Sequence, residues 1–260
     1  MEVHHHPDLH HKGKKWKDYV LEFLMIFLAV TLGFFAEGLR EHILEKRIEK
    51  EYMESFVADL RADIQKFEVI IPIEENSIKG LDTLLNIITH APYNDNSTRM
   101  MYYLSRKYTM SIEPMSYSLG TITQLKNSGG LRLISNKVAS DSITLYNKTV
   151  DAIMSILNFA EHDFMIPSIK IGNKIFNAKY LLEYTGETVI NLLNSPGKID
   201  LLTKDEAVIA EYTNYIYQVK QIRMDYLGQL KRHEQRAKMM VSFSKRISSE
   251  LINETTAQAH

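Results

Sequence analysis

Histidines at the start of the chain are the residues whose type and spacing most directly suggest chemistry. Five of the ten histidines fall within the first eleven positions: His4, His5, His6, His10 and His11. Neutral imidazoles bind zinc, copper and nickel, and placing several close together lowers the entropic cost of chelation. We interpret the segment as a solvated interfacial tail. A metal-binding or pH-sensing segment and an expression-tag remnant stay open as alternatives.

Two carboxylates, Glu22 and Glu37, lie near the ends of the most apolar stretch of the sequence. On a helix, their spacing places them about 60° apart around the axis. Ionisable residues within a membrane segment are functional candidates, because burying them in hydrocarbon is costly. We favour anchoring at the lipid–water interface, with an ion or proton path and an oligomer contact as the alternatives.

Motifs for other chemistry are absent from the sequence. It contains no GxGxxG, GxxxxGK[ST], HExxH or GxSxG pattern, which would indicate nucleotide, phosphate, zinc or acyl-transfer chemistry. The lack of cysteine excludes disulfides, Cys-ligated metals and a thiol nucleophile. With 31 Lys+Arg against 32 Asp+Glu, the chain lacks the basic surplus of a general nucleic-acid binder. We therefore expect no enzyme, no cofactor and no nucleic-acid partner.

The stretch 19–39, YVLEFLMIFLAVTLGFFAEGL, is apolar enough to cross a bilayer. As a helix it rises about 31 Å, which matches a hydrocarbon layer of about 30 Å. Trp16 and Tyr19 fit an aromatic belt at the interface. A buried core helix and a cleaved signal peptide are the alternatives, although Phe34 and Ala36 make a poor small-x-small cleavage site.

Basic residues flank the apolar stretch on both sides. The four before it are Lys12, Lys14, Lys15 and Lys17, and the four after it are Arg40, Lys46, Arg47 and Lys50. The lysines before it are packed closer to the stretch, which favours a cytoplasmic N-terminus. The sequence thus predicts a single-pass protein of a bacterial inner membrane, with residues 40–260 extracytoplasmic. The four lysines and Trp16 are the predicted contacts with the membrane surface.

Long helices are predicted for the rest of the chain, because 11 Gly and 6 Pro leave few turns. One helix is predicted to continue from the span and to end before Pro72. Its apolar positions alternate spacings of four and three, which is typical of a coiled-coil seam. These positions are Met53, Val57, Leu60, Ile64, Phe67 and Ile71.

Further helices are predicted at about 74–89, 97–107 and 116–127, and from a cap at Asn136 to Pro167. A capping box at 203–206 is predicted to begin a last helix that reaches about Asn253. The seam of that helix is predicted at Tyr212, Tyr215, Val219, Ile222 and Tyr226.

The predicted fold is all-α, because short connections between helices favour antiparallel neighbours. One N-terminal transmembrane helix continues into an elongated antiparallel helical bundle with coiled-coil-like seams. The predicted organisation is a His/Lys-rich tail over 1–18, a transmembrane helix over 19–39 and a helical bundle over 40–260.

Two stretches resemble a family of uncharacterised single-pass bacterial membrane proteins known only as a domain of unknown function. One is EKRIEKEYMESFVADLRADI (45–64), and the other is SYSLGTITQLKNSGGLRLISNKVASDSITLYN (116–147). The opening HHHP with LEFLMIFLAVTLGFFAE is similar to a closer subgroup. The resemblance covers about half of the chain. It implies a membrane-anchored helical protein with an extracytoplasmic soluble part and no catalytic residues.

Three functions are consistent with these features. The favoured one is association, as a scaffold, sensor or accessory subunit, with the lipid bilayer and either a homo-oligomer or another membrane protein as partners. The second is an oligomeric ion- or proton-conducting assembly, in which Glu22 and Glu37 line the path. The third is a metal-responsive membrane protein that uses its histidine tail.

Overall fold

The computed structural model describes residues 15–184 and 186–257, with side chains up to residue 244. Over this part of the chain it contains six α-helices and no strand, which confirms the all-α prediction. The helices are α1 (Trp16–His90), α2 (Asp95–Tyr108), α3 (Gly120–Asn127), α4 (Lys137–Ala160), α5 (Ile166–Ile175) and α6 (Glu206–Ala257). A π-helical turn (Glu161–Met165) joins α4 to α5, and 3₁₀ segments cover Gly130–Leu133, Ala178–Tyr180 and Gly186–Asn194.

The chain divides into two compact units, Met1–Glu51 and Tyr52–His260. The described part of the first unit is residue 15 followed by the beginning of α1. The second unit contains the rest of α1 and the helices α2 to α6.

Helix α1 passes through Pro72, so the prediction that it ends before this residue was wrong. Proline lacks an amide proton and cannot bond to the carbonyl of residue 68. Pro72 lies on the exposed side of α1, where Val69 and Ile73 are 62% and 46% exposed and water can solvate that carbonyl. On the opposite side, Ile70 and Glu74 stay buried. Core packing on both sides of Pro72 therefore outweighs one missing hydrogen bond.

The buried residues of α1 and α6 follow alternating spacings of four and three. In α1 the residues on this line are Phe56, Leu60, Asp63, Phe67, Ile70, Glu74, Ser77, Leu81, Leu84 and Ile88, and Val57 and Gly80 are buried beside it. In α6 they are Ile209, Tyr212, Ile216, Val219, Arg223, Tyr226, Leu230, His233 and Ala237. The predicted seams were partly wrong, because Asp63, Ile70, Ile216 and Arg223 are buried where Ile64, Ile71, Tyr215 and Ile222 were expected.

Two large apolar cores, and a smaller one around Tyr102, Leu192 and Ile199, hold the second unit together. The first joins the 56–70 part of α1 to α4 and to the 226–237 part of α6. The second joins the 81–88 part of α1 to α5 and to the 209–219 part of α6. Within this unit, α6 therefore runs antiparallel to α1 and to α4–α5.

Side chains cap the beginnings of three helices. The Asn136 side chain accepts from the amide of Ala139, which confirms the predicted cap of α4. Asn94 and Ser97 cap α2 reciprocally. At α6 the predicted capping box is not used, because Asp205 Oδ1 accepts from the amides of residues 207 and 208 at 3.0 Å. Asp205 lies nearer to these free amides than the threonine two residues before it.

Gly80→Ala is expected to destabilise the protein, although alanine is the better helix former. A Cβ atom at Gly80 would overlap the ring of Tyr108 from α2, and overpacking of this kind costs about 1–3 kcal/mol. Gly228→Ala in α6 is the matched control. Its Cβ would meet only the flexible end of Arg232, at 3.4 Å, so a gain of about 0.5–1 kcal/mol is expected. Urea unfolding measures both, and equal shifts would contradict this close contact between α1 and α2.

Candidate functional site

The N-terminal part of α1 exposes an unbroken apolar surface. An 18-residue window of this helix has a mean hydropathy of 2.2, and none of it is buried. The large apolar side chains between Leu21 and Leu39 are 46% to 76% exposed. Among the described residues, α1 is the one helix that is long and apolar enough to cross a membrane. A core helix hides such side chains, so the alternative of a buried core helix finds no support in this geometry.

Glu37 and Glu22 lie apart on this surface and are not brought together within one chain. Both carboxylate oxygens of Glu37 accept from Arg40, at 3.0 Å from Nε and 2.5 Å from Nη2. Glu22 lies more than four helical turns earlier, beside Asp18 and Met25. The pairing of Glu37 with Arg40 lowers the cost of a charge at one end of the apolar stretch, which fits an interfacial position.

The start of α1 carries the part of the predicted membrane-surface cluster that the structure describes. Trp16 is 80% exposed, and Lys15 and Lys17 are exposed beside it. The remaining members of that cluster, Lys12 and Lys14, lie outside the described residues.

The histidine tail also lies outside the described residues, which include none of His4, His5, His6, His10 and His11. Within the described part of the chain, no group of three or more His, Asp or Glu side chains is arranged to hold a metal ion. Metal binding by the tail stays a prediction.

A buried ion pair between α1 and α6 forms the first of two polar layers in the second unit. Arg223 Nη1 donates to the two carboxylate oxygens of Glu74 at 2.9 and 2.7 Å. The side chains are 3% and 1% exposed. Arg223 Nη2 donates to the carbonyls of Tyr108 and Ser111 at 3.2 and 2.5 Å. This pair, which we call the Glu74–Arg223 layer, thus joins α1, α6 and the end of α2.

The second polar layer is centred on Asp63, which is fully buried. Its carboxylate accepts from the Tyr146 hydroxyl and the Ser118 amide, both at 2.7 Å, and from Lys66 Nζ at 3.3 Å. Burial raises the pKa of Tyr146 strongly, and the Asp63 carboxylate raises it further. The Tyr146 hydroxyl therefore stays protonated and can donate to Asp63.

His233 completes this Asp63–His233 layer. It is fully buried, with its ring 4.0 Å from the ring of Tyr146 between centroids and its Nδ1 3.4 Å from the Tyr117 hydroxyl. Its Nε2 atom has no partner among the described residues. Burial above all, and the charge of Arg236 after it, lower the pKa of His233 to about 4, although the charge of Asp63 acts in the opposite direction. The imidazole is therefore neutral at pH 7.

Both layers make hydrogen bonds to the backbone of the linker 109–119 between α2 and α3. Arg223 binds the carbonyl of Ser111, and Asp63 binds the amide of Ser118. Between these points, the Tyr226 hydroxyl accepts from the amide of Met115 at 2.9 Å. The linker has no helix or strand of its own. Side chains of α1 and α6 therefore satisfy backbone groups that secondary structure satisfies elsewhere.

The two layers are enclosed, and this decides what their residues can do. Asp63, Glu74, Arg223 and His233 are each at most 3% exposed, so a substrate has no access to them. Their contacts position the helices. These four residues were not among the predicted site residues, although the spacing of four and three continues through all of them.

No protein-family model matches the chain, and no curated protein or solved structure is similar to it. The resemblance to a family of single-pass bacterial membrane proteins therefore stays a prediction.

Replacing one member of the Glu74–Arg223 layer is expected to lower the free energy of unfolding more than replacing both members. Glu74→Leu leaves a buried guanidinium unpaired, and a loss of about 3–5 kcal/mol is expected, whereas Glu74→Leu with Arg223→Met should recover most of it. Urea unfolding of the natural protein, the single variant and the double variant measures these differences. The exposed pair of Glu75 and Lys231 supplies the control, because Glu75→Leu should be nearly neutral. A double variant as unstable as Glu74→Leu would contradict the pairing.

Stability is expected to fall between pH 6.5 and pH 4 because of His233. In the unfolded chain His233 binds a proton near the ordinary histidine pKa of 6.5. In the folded protein its pKa is about 4, so it stays neutral until the pH is much lower. Unfolding is therefore favoured as the pH falls through this window, by about 3 kcal/mol in total. His233→Phe keeps the aromatic packing but cannot bind a proton, so the free energy of unfolding should depend less on pH between 6.5 and 4. His162→Phe, at an exposed histidine, is the control and should leave it unchanged in urea titrations.

Proposed function

We propose that residues 19–39 of α1 anchor the protein in a membrane and that its second unit acts by protein association, as a scaffold, sensor or accessory subunit. The observation that carries the proposal is the apolar surface of α1, of which nothing is buried. An exposed apolar surface of this length is unfavourable in water and favourable in hydrocarbon. The hydroxyl of Thr31 donates to the Phe27 carbonyl at 2.7 Å, so this polar group needs no water.

Association rather than catalysis is supported by where the second unit keeps its titratable groups. His233 and the tyrosines with raised pKa values, such as Tyr146 and Tyr212, are packed inside the helical cores. Catalytic groups with shifted pKa values have to reach a substrate. The Tyr146 hydroxyl bonds to Asp63 and the Tyr212 hydroxyl bonds to Ser105, and both of these partners are buried as well, which favours a structural role.

We further propose a bacterial inner membrane, a cytoplasmic N-terminus and an extracytoplasmic second unit. The support is the cluster of lysines before the apolar stretch, of which Lys15 and Lys17 are exposed at the start of α1. Trp16 beside them suits the headgroup region. The conducting assembly gains no support from the geometry, because Glu37 is engaged by Arg40.

Two arginines in the middle of the apolar stretch are expected to release the protein from membranes. Leu28→Arg with Val30→Arg should cost about 5–7 kcal/mol of insertion free energy, because each arginine near the bilayer centre costs about 2.5–3.5 kcal/mol. The matched control is Val69→Arg with Ile73→Arg, at exposed apolar positions of the second unit. The full chain and the control should float with lipid vesicles in a density gradient, and the first variant should not.

The floated samples also report topology and processing. Protease should digest the second unit only from the extracytoplasmic side, in right-side-out but not in inverted vesicles. N-terminal sequencing of the floated protein should begin before residue 19. Flotation of the first variant would contradict the anchor, and a chain that does not float and begins after Ala36 would identify the stretch as a removed signal peptide.

A further inference from the structure

The part of α6 over 230–244, which we call the α6 end, buries little apolar surface against the rest of the second unit. Its buried residues are Leu230, His233 and Ala237, and Met240 and Val241 are partly buried. The earlier part of the helix buries larger side chains, which are Ile209, Tyr212, Ile216 and Val219. Hydrophobic stabilisation follows the apolar area removed from water, so the α6 end is the more weakly held part of the helix.

Polar contacts of the α6 end are also weak. Lys231 pairs with Glu75 of α1, but the two side chains are 51% and 41% exposed, and exposed ion pairs contribute little. Arg236 donates one hydrogen bond to Thr149 of α4. The buried Glu74–Arg223 layer, in contrast, fixes α6 to α1 two helical turns before the α6 end begins. This layer therefore limits how far the helix can detach.

His233 is the buried titratable residue of the α6 end. Its ring packs against aromatic rings from three elements, which are Phe67 of α1, Tyr117 of the linker and Tyr146 of α4. Its Nδ1 atom lies 3.4 Å from the Tyr117 hydroxyl, and its Nε2 atom makes no hydrogen bond within the described residues. A protonated imidazole carries an N–H on both nitrogens. Proton uptake would thus bury a charge and a donor that lacks an acceptor.

The nearby carboxylate of Asp63 is already engaged by other donors. Its Oδ1 atom accepts from the Ser118 amide and from Lys66 Nζ, and its Oδ2 atom accepts from the Tyr146 hydroxyl. A proton on His233 would therefore compete with an existing ammonium group and two hydrogen bonds for the same carboxylate.

The other charged and titratable groups around His233 do not compensate a proton either. Burial raises the pKa values of Tyr117 and Tyr146, so both hydroxyls are uncharged. Burial and the charge of Arg236 lower the pKa of His233, whereas Asp63 and the backbone of Tyr146 act in the opposite direction. The net effect keeps the imidazole neutral while the α6 end is docked.

We propose that proton uptake by His233 releases the α6 end from α1 and α4, with the Glu74–Arg223 layer as the limit of the opening. Release lets water solvate the imidazolium, and it uncovers the rings of Phe67, Tyr117 and Tyr146. The second unit then has a closed form at neutral pH and an acid-opened form that keeps the second apolar core. This goes beyond the proposed association, because it gives the second unit a stimulus to which it responds.

Backbone hydrogen exchange tests the opening in the full chain, reconstituted in phosphatidylcholine–phosphatidylglycerol vesicles. The open form binds a proton near pH 6.5 and the closed form near pH 4. Between pH 7 and pH 5, protection of the α6 end, corrected for intrinsic exchange rates, should therefore fall about 20-fold. Mass spectrometry of peptides from 230–244 and from 209–219 measures it. At pH 7 the α6 end should already be the less protected of the two segments.

Ile216→Val separates local opening from global unfolding. Ile216 is fully buried in the second apolar core, so the lost methylene should lower protection of residues 209–219 about fivefold. Protection of the α6 end should stay unchanged, because its opening leaves that core intact. Equal losses in the two segments would mean that the α6 end exchanges only by global unfolding, which would overturn the inference.

His233→Phe tests the proton itself. The variant keeps an aromatic ring but cannot bind a proton, so protection of the α6 end should change less than about twofold between pH 7 and pH 5. His233→Gln makes the same test should the phenylalanine variant not fold. Ala237→Gly is the matched control in the same segment. It should lower protection of the α6 end about fivefold at both pH values and keep the 20-fold dependence.

Two results would refute the acid-opened form. One is a natural chain whose α6 end keeps its protection at pH 5. The other is a variant without His233 whose α6 end loses as much protection as that of the natural chain.

Discussion

The buried ion pair between Arg223 and Glu74 is the interaction on which the arrangement of the second unit depends. Apolar residues along two helical seams can exchange partners at modest cost, because most are of similar size. Sliding α6 along α1 by one seam position would instead leave a guanidinium and a carboxylate unpaired in the core, at a cost of several kcal/mol. The Asp63–His233 layer repeats this constraint about three helical turns away. Two polar layers therefore fix the register that the apolar residues leave open.

These layers connect more than the two long helices. Arg223 also holds the end of α2 through the Tyr108 carbonyl, and Asp63 also holds Tyr146 of α4 and the amide before α3. Each charged group thus has several partners from different parts of the chain, which is what makes a buried charge tolerable. The first unit depends on a different force. None of its apolar stretch is buried among the described residues, and its proposed surroundings are lipid.

The all-α class, the Asn136 cap and the apolar stretch could be predicted from sequence because local patterns determine them. Local patterns did not predict which residues of the two seams are buried. Ile64 is more apolar than Asp63, yet Asp63 is buried because Tyr146, 83 residues away, donates to it. Arg223 is likewise buried because Glu74 lies 149 residues away in the chain. Pro72 stops an isolated helix, but packing on both sides of it was not visible in a local window. Long-range partners decided each of these positions.

The linker 109–119 has a consequence for the order in which the chain folds. Its backbone is held by side chains of Asp63, Arg223 and Tyr226, which come from the two ends of the second unit's sequence. These side chains come together only after the last helix has docked against the first, which closes a loop of more than a hundred residues. Such long loops are slow to close. The middle of the sequence therefore acquires its final conformation late, and a nascent chain has to wait for its C-terminal helix.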